Sequence, residues 1–398
     1  MDMNSPAIEV IGNKRCTGCF GCCNACPVGA ISMNLDAEGF YMPVIDKNKC
    51  IRCGLCQNFC PVIEKAKRDD LKPIYFAFKT KGEKLIRESS SGGFWGEAAK
   101  YLIERDYKVY GAGFDKTWKV KHICINSSRD LDNTKGSKYL QSNVGNTYKN
   151  IRKQLSEGKR VAFSGTPCQI AALNKLVSHS DKNKSLLTLE VVCHGVNSIS
   201  VWEKYLRYLE DKYTSPITSV SFRNKREGWV NYSMSVKFES GKVLRETLNE
   251  NQYLRIFLKD VALRESCYDC EFDSVPRQAD ITMGDLWGGG RNLYNHLGLS
   301  VIGVNTSKGN SFFEDLVNSC DCTTEVVEKE LVRKRNPRLK GHGVKRPSER
   351  GQLSSVRKSP FHEISKRFLK KKNFSVDIKK MMTMRLKTIY RKFFWPKF

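Results

Sequence analysis

Past a cysteine-rich N-terminal stretch, short apolar runs alternate along the chain with segments of helical periodicity. The apolar runs that predict strands lie at residues 74–78, 107–114, 160–164 and 186–192. The segments that predict helices lie at residues 93–104, 144–157, 168–176 and 200–211. Strands and helices that alternate in this way are typical of α/β domains, in which helices cover a largely parallel sheet.

Two stretches interrupt this alternation. Between residues 217 and 245 the hydrophobic period falls to two, as in Val220 and Phe222 and again in Val236 and Phe238. This period predicts a β-rich insertion or hairpin within the α/β domain. Residues 65–73 are polar and end in a proline, so they are expected to form a linker.

The composition is that of a globular protein with two to three domains, at 398 residues, 40% hydrophobic and 28% charged. No run of about 18 uninterrupted apolar residues predicts a transmembrane helix. The first residues lack a basic segment followed by an apolar core, so no signal peptide is expected. Sixteen cysteines in such a chain therefore indicate metal ligation in a reducing cytoplasm.

Positive charge is concentrated at the C-terminal end. Of the 68 lysines and arginines, 22 lie between Arg333 and Phe398, against three carboxylates, so this segment carries +19 of the formal net charge of +26. Residues 381–394 place apolar side chains such as Met382 and Phe393 on one helical face and cations on the rest. A basic amphipathic helix is suited to peripheral contact with the anionic inner face of a membrane. A solvated tail and a helix docked on the body are the alternatives, and no nucleic-acid recognition fold accompanies the charge.

Two cysteine runs share one spacing, in which three cysteines are separated by two residues each and a fourth follows after three and precedes a proline. They are Cys16, Cys19, Cys22 and Cys26, and then Cys50, Cys53, Cys56 and Cys60. This spacing is typical of two-cluster bacterial ferredoxins, in which the fourth cysteine of each run binds the other cluster. We therefore predict one [4Fe–4S] cluster on Cys16, Cys19, Cys22 and Cys60, and a second on Cys50, Cys53, Cys56 and Cys26. A zinc site or a set of disulfides is the alternative.

The chain therefore divides into three predicted parts. Residues 1–68 form an α+β, ferredoxin-like two-cluster module, and residues 74–330 form an α/β domain with a β-rich insertion. Residues 331–398 form a basic tail with an amphipathic helix.

Four further motifs lie in the α/β domain. They are Ser-Ser-Ser-Gly-Gly-Phe at residues 89–94, Lys-Tyr-Leu-Gln-Ser at 138–142, Ser-Gly-Thr-Pro-Cys-Gln at 164–169 and Ala-Asp-Ile-Thr-Met-Gly-Asp-Leu-Trp-Gly at 279–288. With the cysteine runs in front of them, they resemble the family of coenzyme F420 hydrogenase/dehydrogenase beta subunits over roughly residues 14–305. The resemblance implies an FAD-binding iron–sulfur protein that passes electrons between a deazaflavin or similar hydride carrier and its clusters. The chain is most similar to bacterial members associated with polysaccharide biosynthesis.

The motifs suggest where such a cofactor binds. Residues 89–93 open a predicted helix, whose free backbone N–H groups and serine hydroxyls suit a phosphate, although an ordinary N-cap is the alternative. Residues 165–169 end a strand and begin a helix, where ligands bind in doubly wound sheets. A Rossmann or Walker A run is absent from the sequence. The predicted cofactor-binding residues are Ser90, Ser91, Gly92, Gly93, Gln141, Ser142, Gly165, Thr166 and Pro167.

Four body cysteines suggest a third [4Fe–4S] cluster near the flavin. Cys168 and Cys193 follow strands, and Cys267 and Cys270 form a Cys-x-x-Cys pair. The alternative is that each is a small buried apolar residue. Next to Cys193, His194 is a candidate proton donor near the flavin, or else a structural histidine.

The cations Arg223, Lys225 and Arg226 are candidates for binding an anionic substrate or a flavin phosphate, with a solvated loop as the alternative. Cys124, Cys320 and Cys322 are expected to be structural.

The leading hypothesis is an iron–sulfur flavoprotein oxidoreductase, cytoplasmic and in part peripheral to the membrane. It would use a small-molecule hydride donor or acceptor and a redox partner protein such as a ferredoxin or reductase. One alternative is an electron-transfer subunit that has no substrate of its own and donates to a partner enzyme. Another is a glycan-processing enzyme with structural clusters.

Overall fold

The computed structural model describes residues 5–64, 72–177, 184–288, 295–339, 341 and 343–369, and its largest element is an eight-stranded mixed sheet. The strands of this sheet are β3 (Ile74–Thr80), β4 (Lys108–Phe114), β5 (Val120–Cys124), β6 (Val161–Gly165), β7 (Leu186–Val191), β11 (Ile281–Asp285), β12 (Ser300–Val304) and β13 (Cys322–Val326). Their order across the sheet is β13-β3-β12-β11-β7-β6-β4-β5. The α/β domain predicted from the alternating pattern is therefore present, with antiparallel edges added to it.

The centre of the sheet is parallel. Strands β4, β6, β7 and β11 pair in parallel, with Val161 opposite Leu186 and Ile281 opposite Leu189. All five residues of β6 are buried, as expected for a strand covered on both faces. The carboxyl ends of β6, β7 and β11 consequently meet at one edge, which is where ligands bind in sheets of this kind.

Helices cover both faces of this sheet. The helices of the chain up to the insertion are α1 (Ala7–Arg15), α2 (Gly21–Ala25), α3 (Leu55–Asn58), α4 (Glu83–Glu88), α5 (Phe94–Ile103), α6 (Ser128–Thr134), α7 (Thr147–Ser156), α8 (Pro167–Val177) and α9 (Ile199–Tyr213). Helix α5 packs Phe94 against Phe78 and Phe313 on one face. Helices α7 and α8 bury Tyr148 and Ile170 on the other face.

The predicted β-rich insertion is a three-stranded antiparallel sheet. It consists of β8 (Ile217–Asn224), β9 (Ser233–Phe238) and β10 (Val243–Thr247) in the order β10-β9-β8. Its inner face joins a core of buried aromatic side chains from α9 and α10 (Gln252–Leu258), which includes Trp202, Tyr205, Phe222 and Tyr253. The period of two between residues 217 and 245 is therefore confirmed as strand structure.

The N-terminal module is built from two similar halves. A two-stranded antiparallel sheet, β1 (Ile31–Leu35) and β2 (Tyr41–Ile45), lies between the short helices α2 and α3. Each of these helices follows a residue in the left-handed region, Phe20 with φ 67° and Gly54 with φ 71°. Both residues come directly after the second cysteine of their run, so the two cysteine runs turn in the same way.

Buried hydrogen bonds join this module to the α/β domain. The guanidinium of Arg264, only 3% exposed, donates to the carbonyls of Cys16 and Tyr41 at 3.1 and 2.7 Å. Its third acceptor is Gln141 Oε1 at 2.9 Å, while Gln141 Nε2 donates to the carbonyls of Thr17 and Gly18. Because these groups lie at the first cysteine run, they fix that run against the domain.

Much of the predicted basic tail folds onto the body. It follows α11 (Ser307–Ser319) and contains the end of α12 (Lys329–Arg335), a 3-10 segment Ser348–Lys358 and α13 (Phe361–Phe368). Phe361 and Phe368 are buried in the aromatic core, and Arg350 makes a bidentate ion pair with Glu38 of the N-terminal module. The predicted amphipathic helix at residues 381–394 lies outside the described residues. Among the described helices, none has the length and apolarity needed to cross a bilayer.

Candidate functional site

The structure brings the eight N-terminal cysteines together as two groups, which we name by position. The inner group comprises Cys16, Cys19, Cys22 and Cys60. Burial raises the pKa of the Cys19 thiol above its usual range, and the neighbouring charge of Cys60 raises it further. Burial likewise raises the pKa of Cys60, with a smaller contribution from Cys16. Buried sulfurs that repel one another as thiolates need a cation between them, which is the role that cluster iron fulfils.

The outer group comprises Cys26, Cys50, Cys53 and Cys56, which line one small cavity. Two backbone N–H groups donate to its sulfurs, from Ala30 to Cys26 Sγ at 3.2 Å and from Ala7 to Cys56 Sγ at 3.4 Å. Such bonds stabilise thiolate ligands and tune cluster potentials. Each group thus contains the last cysteine of the other run, which is the arrangement that the spacing predicts.

Within the described ranges, no three Cys, His, Asp or Glu side chains converge as ligands of a single metal ion. A cubane does not require such convergence, because each of its four thiolates binds a different iron.

Four body cysteines form a third set, the body group. Cys168 is the second residue of α8, Cys193 follows β7, and Cys267 and Cys270 lie in and after a 3-10 turn. All four line one cavity. Burial raises the pKa of Cys168 and Cys267 to about 11 and that of Cys270 to about 12, and neighbouring cysteine charges add to the effect. The predicted third cluster therefore has four thiols at hand.

The three groups follow one another through the molecule. Cys56 of the outer group adds to the pKa rise of Cys60, and Cys168 of the body group adds to that of Cys19. The inner group therefore lies between the other two. Cys23, the additional cysteine of the first run, donates instead to the carbonyl of Phe20.

A cavity of about 630 Å³ opens at the carboxyl ends of β6, β7 and β11. This volume is within the usual range for cofactor sites. Six of the predicted cofactor-binding residues line it, namely Ser90, Ser91, Gly93, Ser142, Gly165 and Thr166. It shares a wall with the body group, because Ser142, Thr166, Gln169, Cys193 and His194 line both spaces.

The other three predicted cofactor-binding residues lie elsewhere. The N–H of Gly92 donates to Ser300 Oγ, and a Cβ there would meet the carbonyl oxygen of Phe78 at 2.1 Å, so this glycine allows close packing between the loop and β3. Pro167 and Gln141 border the cavity of the body group. Gln141 also joins the module to the domain, as described above.

Cations surround the large cavity. Lys135, Lys138, Arg223, Arg335 and Arg338 line it. Burial lowers the pKa of Lys138 to about 7, and its ammonium donates to the carbonyls of Lys135 and Gly136 at 3.0 and 3.3 Å. Arg335 and Arg338 come from the segment predicted to be a tail. An anionic ligand, such as one with a phosphate, suits this lining.

The three candidate cations of the insertion differ in their surroundings. Arg223 borders the cavity and is held by Asp285 at 2.7 Å and by Tyr139 Oη at 2.7 Å. Lys225 donates to the carbonyls of Ser91 and Leu297 and thereby supports the serine loop, and burial lowers its pKa to about 7. Arg226 is exposed, as the solvated-loop alternative expected.

His122 is a cavity residue that the sequence analysis missed. Its Nε2 contacts the carbonyl of Ser164 at 2.9 Å, and its ring stacks on Phe163. Burial lowers its pKa to about 4, so the ring is neutral, with its proton on Nε2. Among the described residues, Nδ1 then has no hydrogen-bond partner, so this buried acceptor is left to pair with a donor from a ligand in the cavity that His122 lines. The one available signal was a polar residue at an inward position of β5.

His194, the candidate proton donor, lies where the two spaces meet. Its Nε2 contacts Asp260 Oδ1 at 2.6 Å, and its carbonyl accepts a hydrogen bond from Arg338. A carboxylate on one ring nitrogen fixes the tautomer and orients the other nitrogen. The structure thus gives His194 a defined orientation beside Cys193.

Trp287, within the fourth motif, supplies an aromatic wall. Its ring stacks on Trp229 with centroids 4.2 Å apart, and Arg223 lies 5.4 Å from its centroid.

Models of known families match two parts of the chain. Residues 158–330 match the model for the C terminus of the coenzyme F420 hydrogenase/dehydrogenase beta subunit. Residues 15–63 match a 4Fe-4S dicluster domain, and a second model with that description matches residues 42–89. These matches confirm the resemblance drawn from the motifs, and they bear out the prediction that the N-terminal part carries [4Fe–4S] clusters.

Individual relatives include two proteins whose names refer to F420. One subunit of the F420H2 dehydrogenase of Methanosarcina mazei is 23% identical over 292 residues, which cover 70% of this chain and 77% of that protein. The coenzyme F420-dependent sulfite reductase of Methanocaldococcus jannaschii is 27% identical over 342 residues, 83% of this chain and 50% of that protein. The chain therefore spans half the length of this second relative.

Among solved structures, the chain is similar to a component of the F420-reducing [NiFe] hydrogenase complex from Methanosarcina barkeri. The TM-score is 0.46 at 17% identity, and the match covers 78% of this chain and 97% of that component.

Proposed function

We propose that this chain, whose residues 158–330 match the family of coenzyme F420 hydrogenase and dehydrogenase beta subunits, is an iron–sulfur flavoprotein oxidoreductase. It would exchange a hydride with a small molecule in the large cavity and single electrons with a protein partner. One observation carries this proposal: the cavity shares a wall with a group of four half-buried thiols, which adjoins the inner cysteine group and through it the outer group.

The cavity suits a flavin in three respects. Its volume of about 630 Å³ is within the range of cofactor sites. The unpartnered Nδ1 of His122 offers an acceptor for a ring N–H, and the serine loop and nearby lysines suit phosphates. A flavin bound there would supply the conversion between hydride and single-electron chemistry.

The cysteine groups suit cubane clusters. The inner and outer groups would each hold one [4Fe–4S] cluster, and we extend the same assignment to the body group, Cys168, Cys193, Cys267 and Cys270. Clusters at these positions would supply one-electron transfer between the cavity and the N-terminal surface.

The chain's own residues would prepare the cavity for this chemistry. Asp260 orients the His194 ring at the wall between cavity and body group, so His194 can hold or release a proton at its other nitrogen, Nδ1. Arg223 is fixed by Asp285 and Tyr139 and presents a permanent positive charge to an anionic ligand. Trp287, stacked on Trp229, excludes water from one wall.

The names of the relatives support one class of hydride donor or acceptor. The two similar proteins described above act, by their names, on F420H2 or with coenzyme F420. We extend that class, a deazaflavin or a similar hydride carrier, to this chain. A role in polysaccharide biosynthesis and a peripheral position at the cytoplasmic face of a membrane stay predictions.

A second candidate function is that of an electron-transfer subunit with no substrate of its own. It is favoured by the relative from Methanosarcina mazei, whose name makes it one subunit of a dehydrogenase. In that case the cavity would hold a flavin and admit no further small molecule.

Iron and flavin content of the anaerobically purified protein test the proposal. We expect one flavin and about 12 irons per chain, four for each of three cubanes. Cys193→Ser should reduce the iron to about 8 and keep the flavin, whereas Cys320→Ser, remote from all three groups, should keep about 12. A flavin-free, iron-loaded protein would contradict the hydride chemistry, and 8 irons in the wild type would remove the third cluster.

A further inference from the structure

The outer cysteine group lies at the surface of the molecule, where a wall formed by Val28 and Ile51 borders it. Val28 and Ile51 line its cavity together with the cysteines, yet they are 43% and 62% exposed. Of the sixteen cysteines, all of them within the described ranges, Cys53 alone is exposed. Because Val28 and Ile51 line one cavity together, they form an exposed apolar patch beside a redox group, and such a patch points to a contact surface.

Positive charge flanks this wall. Arg52 lies between Ile51 and Cys53 and is exposed, and the exposed Lys47 lies in the loop that leads into Cys50. Among the described residues, neither cation has a carboxylate within ion-pair distance. We call Val28, Lys47, Ile51, Arg52 and Cys53 the outer face.

The carboxylates nearest in sequence are already engaged. Asp46 pairs with Lys49 at 3.0 Å, and Asp36 accepts the N–H groups of its own turn. Glu38 is held by Arg350. The outer face therefore presents an apolar centre with uncompensated positive charge at its rim, which is the usual layout of a transient interface.

We propose that the outer face is the docking site of a small acidic electron carrier protein of the ferredoxin type. The inference rests on the proposed function. It identifies the redox partner of the chain and the surface at which electrons enter or leave. Carboxylates on the carrier would steer it to Lys47 and Arg52, and an apolar rim around its own redox centre would cover Ile51 and Val28. Each encounter transfers one electron between the two proteins and no atoms.

The position of the face supports this occupant. The outer group lies at the end of the series of cysteine groups that is remote from the large cavity. A carrier bound there would meet the chain without obstructing the small-molecule site.

Binding of the iron-loaded protein to a small acidic ferredoxin, followed by biolayer interferometry under anaerobic conditions, tests the proposal. At about 50 mM salt the double variant Lys47→Glu/Arg52→Glu should weaken Kd about tenfold, and the difference should shrink as salt screens the charges. Ile51→Asn should weaken Kd about fivefold at every salt concentration. Arg52→Lys should bind as the wild type does.

Two matched controls separate docking from general charge and apolarity. Lys116→Glu reverses an exposed cation in the β4–β5 turn, and Val326→Asn removes an apolar side chain that is 67% exposed on β13. Both should keep Kd within about twofold of the wild type. A basic cytochrome c of similar size should not bind.

Other outcomes would overturn the inference. An unchanged Kd for the outer-face variants, or an equal loss in Lys116→Glu, would show that the carrier binds elsewhere or by net charge alone. Wild-type self-association that Ile51→Asn abolishes would assign the face to a second copy of this chain. Iron content and reduction by dithionite, measured on each sample, separate these results from failure of the proposed function, which would appear as a wild type without clusters.

Discussion

Replacing Lys138 by methionine is expected to remove the pH dependence of anion binding in the large cavity. The Lys138 ammonium donates only to the carbonyls of Lys135 and Gly136 and lies 5.6 Å from the centre of the Phe114 ring. In the part of the chain that the structure describes, it has no carboxylate partner. Burial therefore lowers its pKa to about 7, so the charge is present below that pH and lost above it.

The size of the effect follows from this pKa. If only the ammonium form attracts a phosphate, Kd rises up to about tenfold for each pH unit above 7, or roughly a hundredfold between pH 6 and pH 9. Lys138 is in its ammonium form in the complex, so binding of the ligand at pH 8 should be accompanied by the uptake of close to one proton. Arg223, Arg335 and Arg338 stay charged throughout and contribute a constant attraction.

Isothermal titration calorimetry of FAD, whose phosphates stay fully ionised between pH 6 and pH 9, into flavin-depleted, iron-loaded protein measures both quantities. Lys138→Met should bind FAD weakly with a flat pH profile, and Lys138→Arg should bind it tightly with an equally flat profile. Lys225 also has a pKa lowered to about 7, but it faces two backbone carbonyls behind the cavity wall. A wild-type pH profile in Lys138→Met would refute the reasoning. The pH dependence of binding would then be assigned to Lys225.

Three further substitutions test single contacts. Arg264→Met should destabilise the protein by about 1–3 kcal/mol for each acceptor left unpaired, because the Tyr41 carbonyl and Gln141 Oε1 lose this buried donor, while the Cys16 carbonyl keeps the hydroxyl of Ser266; urea unfolding with an unchanged midpoint would contradict this. His122→Phe keeps a flat ring of similar size but removes the free acceptor, so flavin should dissociate about five- to tenfold more readily, in line with one lost hydrogen bond. Gly92→Ala should lower the apparent melting temperature by several degrees, because its Cβ would meet a backbone oxygen at 2.1 Å, whereas Gly351→Ala, with no atom within 4 Å, should leave it unchanged.

Local patterns predicted most of the elements of the α/β domain but not the order of its strands. The runs at 160–164 and 186–192 correspond to β6 and β7, and the helical segment at 200–211 corresponds to α9. The antiparallel edge, where β3 lies between β12 and β13, joins residues more than 200 positions apart. Hydrophobic periodicity reports which face of a strand is buried, and it carries no information on which distant strand lies beside it.

The C-terminal segment shows how charge can conceal a packing pattern. Between Arg333 and Phe398 the many lysines and arginines dominated the interpretation as a tail. Yet Phe361, Ile364 and Phe368 recur at helical spacing, and all three are buried against the aromatic core. Three buried apolar side chains contribute about 5–9 kcal/mol, which exceeds the cost of bringing nearby cations to a surface where they remain solvated.

Within the candidate site, the roles of cysteines were easier to predict from the sequence than the roles of polar residues such as glutamine and histidine. Cysteine spacing predicted the two N-terminal groups, and two strand ends with a Cys-x-x-Cys pair suggested the body group, because clustered thiols indicate metal ligation in a chain without an export signal. The polar residues were less informative, since an amide or imidazole serves equally well in a ligand site or between two domains. Gln141 joins the module to the domain, while His122, which carried no motif, borders the cavity.

The contacts that hold the N-terminal module have a consequence for electron transfer. Transfer between redox centres slows steeply with distance, so clusters on the inner and body groups, as proposed above, would have to keep one separation. Arg264 holds the first cysteine run with hydrogen bonds to Cys16 and Tyr41, and Arg350, 2% exposed, pairs with Glu38 of the same module. Because Arg350 belongs to the segment beyond residue 330, where the family match ends, this segment supplies a clamp that the matched domain lacks. A module tethered only by the linker would let the separation vary, whereas two buried guanidinium groups that lie near the same ring, Phe40, hold the module to the rest of the chain.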